Sequence, residues 1–240
     1  MLARVYCAAT VGVDARIIDV ETHHTNGMVK FFLVGLPDRA VSESRDRVEA
    51  AIRNTGSYYP LGRITVNLAP ADLPKEGNAF DLPIAIGLLN MSGQLHTSKL
   101  NDTVVVGELS LDGKIRPVKG VLPVAVEAKN RGFKHLVVPK ENGSEAAVVD
   151  GLEIFPFEHL NQVKDWLEDR SPVRPHSSNL DLIFSKNGIS EVLDFSDVRG
   201  QENVKRALEI AAAGGHNVIT LYFITQLVLL PALLSHFSIV

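Results

Sequence analysis

The sequence predicts an α/β (α+β) domain over residues 1–169, and two observations carry that prediction. Short β-branched runs alternate with segments of helical apolar spacing along that whole stretch. Glycine, proline and aspartate punctuate the places where the period changes, as at Gly35-Leu36-Pro37-Asp38. Apolar residues at 45% and charged residues at 22% give one ordinary hydrophobic core enough material without staples.

Residues Ala3–Val20 read as paired strands folded around Gly12, and Met28–Val34 as a further strand closed by turn chemistry. From Arg39 to Arg53, Val41, Val48, Ala51 and Ile52 share one helical face, with Glu43, Arg45, Asp46 and Arg47 opposite. Ile64–Leu68 is a strand. Asp81 is placed to cap a helix through Ile84 and Leu88, with Pro83 tolerated in its first turn. Thr103–Gly107 and Gly113–Val118 read as neighbouring strands joined through Leu109–Asp112. Val124–Asn130 is a helix that stops at Gly132. His135–Pro139 is a strand, Ser144–Val149 a short helix, Leu152–Phe155 a last strand, and Leu160–Leu167 a closing helix. Residues 170–193 begin with polar, proline-bearing linker composition.

A net charge of −4 gives no support to a chain-wide nucleic-acid surface, although it leaves room for a local basic face. The single cysteine, Cys7, excludes an internal disulfide framework and a cysteine-rich zinc site. Asp14 and Arg16 interrupt the N-terminal apolar residues before a signal peptide is formed, and a cytoplasmic location is the expectation. His23 and His24 are neighbours on a strand and so point to opposite faces, which leaves no expected metal site.

Residues 194–219 run from a short loop into an apolar-striped helix, then glycines, then the start of an apolar strand. A phosphate-cradling loop, G-x-x-x-x-G-K-[ST], would follow in a nucleotide-binding domain. The chain has none. Its nearest approach, Gly107 to Gly113-Lys114, has five intervening residues, and Ile115 stands where a magnesium-binding hydroxyl belongs.

Several long runs resemble the ComM-related, magnesium-chelatase-like AAA+ ATPases. They are Val34–Asp38, Glu43–Val48, Val66–Asp72, Gly77–Pro83, Gly107–Gly113 and Gly200–Asn217. The resemblance implies a domain folded like the proteolytic domain of Lon at 1–169, a linker at 170–193, and the first helix of an ATPase module at 194–219. For the intact family it implies ATP and magnesium as cofactors, a homo-oligomeric ring, and ATP-driven work on branched DNA during transformation. Within this chain it implies no cofactor, because no position matches the family's phosphate loop, magnesium-binding acid or arginine finger.

Lon-type proteolysis needs a serine activated by a neighbouring lysine. The run Pro74-Lys75-Glu76-Gly77-Asn78-Ala79 matches the segment that carries the serine, and Ala79 falls at its position. Lys119-Gly120-Val121-Leu122 matches the segment of the lysine, and Leu122 falls there. No catalytic residue is therefore expected. Lys75 and Lys119 are expected to be solvated. If DNA is contacted, Arg63, Lys75, Lys114, Arg116 and Lys119, near turns and strand ends, are expected before the charge-mixed helix.

Residues 220–240 carry no charged side chain, and two readings stand for them. The first is a membrane anchor, for which about 20 apolar residues suffice. The second is an interrupted reading frame, since the resemblance stops abruptly at Ile219.

Overall fold

The computed structural model describes residues 2–75, 77–177, 198–214 and 218. Glu76, most of the 170–193 linker and the whole 220–240 tail, with both readings of it, lie outside the described residues. The chain divides into two compact units, Met1–Leu180 and Asp181–Val240.

The first unit is built on strands β1 (Leu2–Val11), β2 (Asp14–Thr25), β3 (Lys30–Val34), β4 (Arg63–Ala69) and β5 (Thr103–Val105). A short hairpin of β6 (Glu108–Leu109) and β7 (Ile115–Arg116) follows, then β8 (His135–Pro139) and β9 (Glu153–Phe157). Seven strands form one sheet in the order β3-β4-β2-β1-β5-β8-β9. Only β2 runs against the others, pairing antiparallel with both β1 and β4. Helices α1 (Arg39–Ser42), α2 (Ser44–Asn54), α3 (Asp81–Met91), α4 (Val121–Asn130), α5 (Gly143–Ala146) and α6 (Leu160–Leu167) complete the unit.

The pleat of β1 shows how the layers are arranged, because alternate residues face opposite sides. Cys7 lies beneath Ala79, at the entry to α3. Thr22, which pairs with Ala3, donates its hydroxyl hydrogen to the Gly87 carbonyl of α3 at 3.0 Å. Tyr6, on the other side, meets the Phe133 ring just beyond α4. Thr10 lies against Gly120, immediately before α4. The sheet is thus covered by α3 on one face and α4 on the other. α3 lies between the sheet and α2, and that burial on both of its sides explains why nearly every residue of it is apolar rather than one stripe.

Four local expectations are corrected. The predicted helix at Arg39–Arg53 breaks at Glu43 into α1 and α2, with the Asp38 carboxylate capping the first by accepting from the Val41 N–H at 2.7 Å. Thr103–Gly107 does not pair with Gly113–Val118. β5 joins β1 and β8, while the chain leaves the sheet at Gly107 and turns back as β6 and β7. The short helix near Ser144 starts at Gly143, after a 3-10 turn at Lys140–Asn142. Part of the stretch that reads as linker is tied down, since the His176 N–H donates to the Ile154 carbonyl of β9 at 2.8 Å.

In the second unit the described part is chiefly helix α7 (Glu202–Gly214). It is opened by the Gln201 carbonyl, which accepts from Val204 and Lys205. Ion pairs Glu202–Lys205 and Arg206–Glu209 line its polar side, each at 3.2 Å. Among the described residues, no helix is long and apolar enough to cross a membrane.

Candidate functional site

A cavity of about 430 Å³ opens at the carboxyl ends of the parallel strands β1 and β5. Open α/β sheets characteristically receive ligands at that edge, where chain ends and helix starts converge. Its walls come from the end of β1 (Ala8–Thr10), from Val106 beyond β5, from the loop Gly77–Ala79, and from Pro117–Lys119 leading into α4.

The loop that carries Ala79 is held from three directions. The Gly77 N–H donates to the Asp38 carboxylate at 3.1 Å, the same carboxylate that caps α1. The Gly107 N–H donates to the Ala79 carbonyl at 3.0 Å. Lys75, fully buried, bonds through Nζ to the Pro70 carbonyl and closes the loop from within. The expectation of a solvated, DNA-contacting Lys75 is therefore corrected. Burial pushes its pKa down, with Asp72 pulling the other way, and the amine is spent on a backbone oxygen.

Beside the cavity lies a buried ion pair that the sequence does not announce. Arg47 of α2 grips the Asp81 carboxylate of α3 with two bonds, Nε to Oδ2 at 2.7 Å and Nη2 to Oδ1 at 3.0 Å. The Asp81 side chain is 0% exposed and Arg47 is 21% exposed. Asp81 Oδ2 also accepts from the Leu109 N–H at 3.2 Å, so it pins the β6–β7 hairpin to α3. Burial raises the Asp81 carboxyl to about 6 in spite of Arg47. Asp81 is thus not the helix cap the sequence suggests, since α3 has no side-chain cap bond, and Arg47 is not part of the solvated helix face. Asn78 extends the network to the cavity wall by donating to Glu108 Oε2 at 3.0 Å, and Glu108 pairs with Arg116 at 3.5 Å.

Arg116 and Lys119 sit at this end of the unit, with Lys119 on the cavity wall and Lys114 on the same hairpin as Arg116. All three are exposed, and Lys114 pairs with Asp112 at 3.5 Å. Arg63 is elsewhere. It begins β4, which runs parallel to β1, so it stands at the opposite edge of the sheet with its guanidinium over the Phe32 ring.

At the two positions that the resemblance to Lon singles out, the side chains are hydrocarbons. Ala79 presents a methyl group, and Leu122, one residue past the wall residue Val121, is an exposed hydrocarbon. The nearest thiol, Cys7, lies beneath Ala79, fully buried, and burial pushes it up to about 12, far from a reactive thiolate. Among the described residues no group of three or more histidine, cysteine or carboxylate side chains is placed to hold a metal.

Comparison with known proteins agrees with the fold and its resemblance. The family model described as subunit ChlI of Mg-chelatase matches residues 20–142, and a second, magnesium chelatase subunit ChlI, matches residues 194–222. Competence protein ComM of Haemophilus influenzae is 43% identical over 221 residues, covering 92% of this chain and 43% of its own length. YifB of Escherichia coli is 45% identical over 221 residues, covering 91% of this chain and 42% of its own length. Lon protease 2 of Bacillus subtilis is 27% identical over 141 residues, covering 58% of this chain and 25% of its own length. The chain thus spans less than half the length of the ComM and YifB relatives, and its first unit is Lon-like. The chain belongs to the magnesium-chelatase ChlI family, as a ComM-related, magnesium-chelatase-like protein.

Proposed function

We propose that this chain supplies a non-proteolytic Lon-like domain to a ComM-type, ATP-driven DNA-processing assembly of the cytoplasm, and that the domain's part is binding and assembly rather than chemistry. The observation that carries this reading is the cavity at the ends of β1 and β5, which is built and braced like a site yet offers Ala79 where the resemblance to Lon asks for a nucleophile. A scaffold that keeps the geometry of a site without its reactive groups is suited to holding a partner. ATP and magnesium belong to the ATPase module of the assembly, and a homo-oligomeric ring is the form in which such modules act.

Two results follow. Isothermal titration with magnesium-ATP should show no binding in the micromolar range, because the nest of N–H groups and the lysine that cradle its phosphates are absent from the sequence. Micromolar, magnesium-dependent binding would contradict the reading. DNA, if held by this domain, is held at the cavity end through Lys114, Arg116 and Lys119. Fluorescence anisotropy with a labelled forked duplex at low salt should therefore lose about tenfold or more in affinity when these three become glutamate. Arg63→Glu, at the opposite sheet edge, should leave it unchanged. Equal losses from both would remove the assignment to this face.

A further inference from the structure

The seven-stranded sheet treats its two edges differently. At β9 the chain covers its own edge, through the bond from the His176 N–H to the Ile154 carbonyl. At β3, the other terminal strand, the only strand partner among the described residues is β4. The Lys30 N–H donates to the Gly62 carbonyl at 3.1 Å, so Lys30 turns its backbone toward β4. The alternation of a parallel ladder turns Phe32 and Val34 the same way and leaves the N–H and C=O groups of Phe31 and Leu33 facing outward. Native sheets blunt such edges with proline, a bulge or an inward-pointing charge. β3 has no proline, and its one charged residue stands at its first position.

Its side chains add a second signal. Phe32 is 38% exposed and Val34 45% exposed, on one face of an edge strand. Lys30 pairs in register with Arg63, whose guanidinium lies 4.8 Å from the centre of the Phe32 ring. Among the described residues neither cation makes an ion pair, whereas Arg39 and Arg53 on the nearby helices each hold a glutamate.

We propose that β3 takes an extended peptide as an eighth strand, with apolar side chains over Phe32 and Val34 and an acidic residue beside Lys30 and Arg63. Backbone bonds to Phe31 and Leu33 supply affinity, and the charge supplies the choice of partner. A second copy of this chain is the poorer occupant, since pairing β3 antiparallel with itself sets Lys30 against Val34 and brings no carboxylate from the strand to either cation.

The probes are two end-blocked nonapeptides, one alternating valine with glutamate and the other valine with lysine, titrated into the full chain. The glutamate peptide should bind at least about tenfold more tightly than the lysine peptide and slow hydrogen exchange at the Phe31 and Leu33 amides. Leu33→Pro removes an outward N–H without touching a bond to β4, so it should abolish binding, at the cost of some of the packing of Leu33 on the core. Lys30→Glu keeps every backbone group and should shift the preference toward the lysine peptide, which keeps the test alive if the proline variant misfolds. Equal binding of the two peptides, or Lys30→Glu without effect, would overturn the proposal. So would protection of Phe31 and Leu33 that rises with protein concentration in the absence of peptide, because that marks self-pairing.

Discussion

Arg47→Ala is expected to cost about 3–5 kcal/mol of folding stability at neutral pH, the range for breaking one partner of a buried ion pair. The reason is the inequality of the partners. Asp81 is fully buried while Arg47 reaches the surface, so removing the arginine strands a carboxylate with only the Leu109 N–H to answer it. Asp81→Ala should cost less, because a lone guanidinium can turn toward water. The double variant Arg47→Met/Asp81→Leu should cost less than Arg47→Ala, since it strands no charge.

The same pair sets a pH dependence whose sign is opposite to that of most carboxylates. Burial raises Asp81 from 3.8 to about 6, so between these values the folded chain holds a proton that the unfolded chain releases. This group's contribution to stability therefore falls as pH rises from about 4 to about 6, and Asp81→Asn should lack that slope. In Arg47→Ala the folded pKa moves higher still, so the variant should recover much of its loss below neutral pH. Urea melts of the four variants and the parent across pH 4–8 check all of this. An Arg47→Ala variant as stable as the parent at neutral pH would mean that the pair does not join α2 to α3.

Gly35→Ala is the second large effect, with an expected loss of about 3 kcal/mol or more. Gly35 follows β3 with φ +104°, a backbone region that side chains rarely adopt, and an added Cβ would sit 2.1 Å from the Leu68 carbonyl oxygen of β4. A backbone oxygen cannot swing aside as a side chain can, so β3 must move from β4. Gly12→Ala separates strain from collision. Its φ is +63° with nothing within 4 Å, and it should cost only about 1–2 kcal/mol. Equal denaturation midpoints for the two variants would show that the contact at Gly35 relaxes freely.

Most elements were legible because they obey local periods. β1 and β2 alternate around Gly12, and the closing helix at Leu160–Leu167 has one clear apolar face. What escaped depended on distant partners. Arg47 sits among acidic neighbours on a helix whose composition reads as solvated, and its true partner lies 34 residues further on. Lys75 lies in a polar loop, and nothing local marks it as the residue that loop closure will bury against Pro70. Sequence proximity makes β5 a hairpin partner of the segment after Gly113, because it says nothing of the parallel pairing with β1, nearly a hundred residues earlier. Ala79 was found through resemblance alone, since a methyl group leaves no chemical signature. The structure adds that this methyl group stands on the wall of a braced cavity.

The most direct test of a Lon-like domain without chemistry is degradation of unfolded casein by the purified chain, followed by gel and mass spectrometry. The chain should yield no fragments, and Ala79→Ser should yield none either while Leu122 leaves the new hydroxyl without a base. Fragments from the parent chain would contradict the account outright. Fragments from the Ala79→Ser variant alone would show that another amine, with Lys119 on the cavity wall the first to examine, already serves as the base.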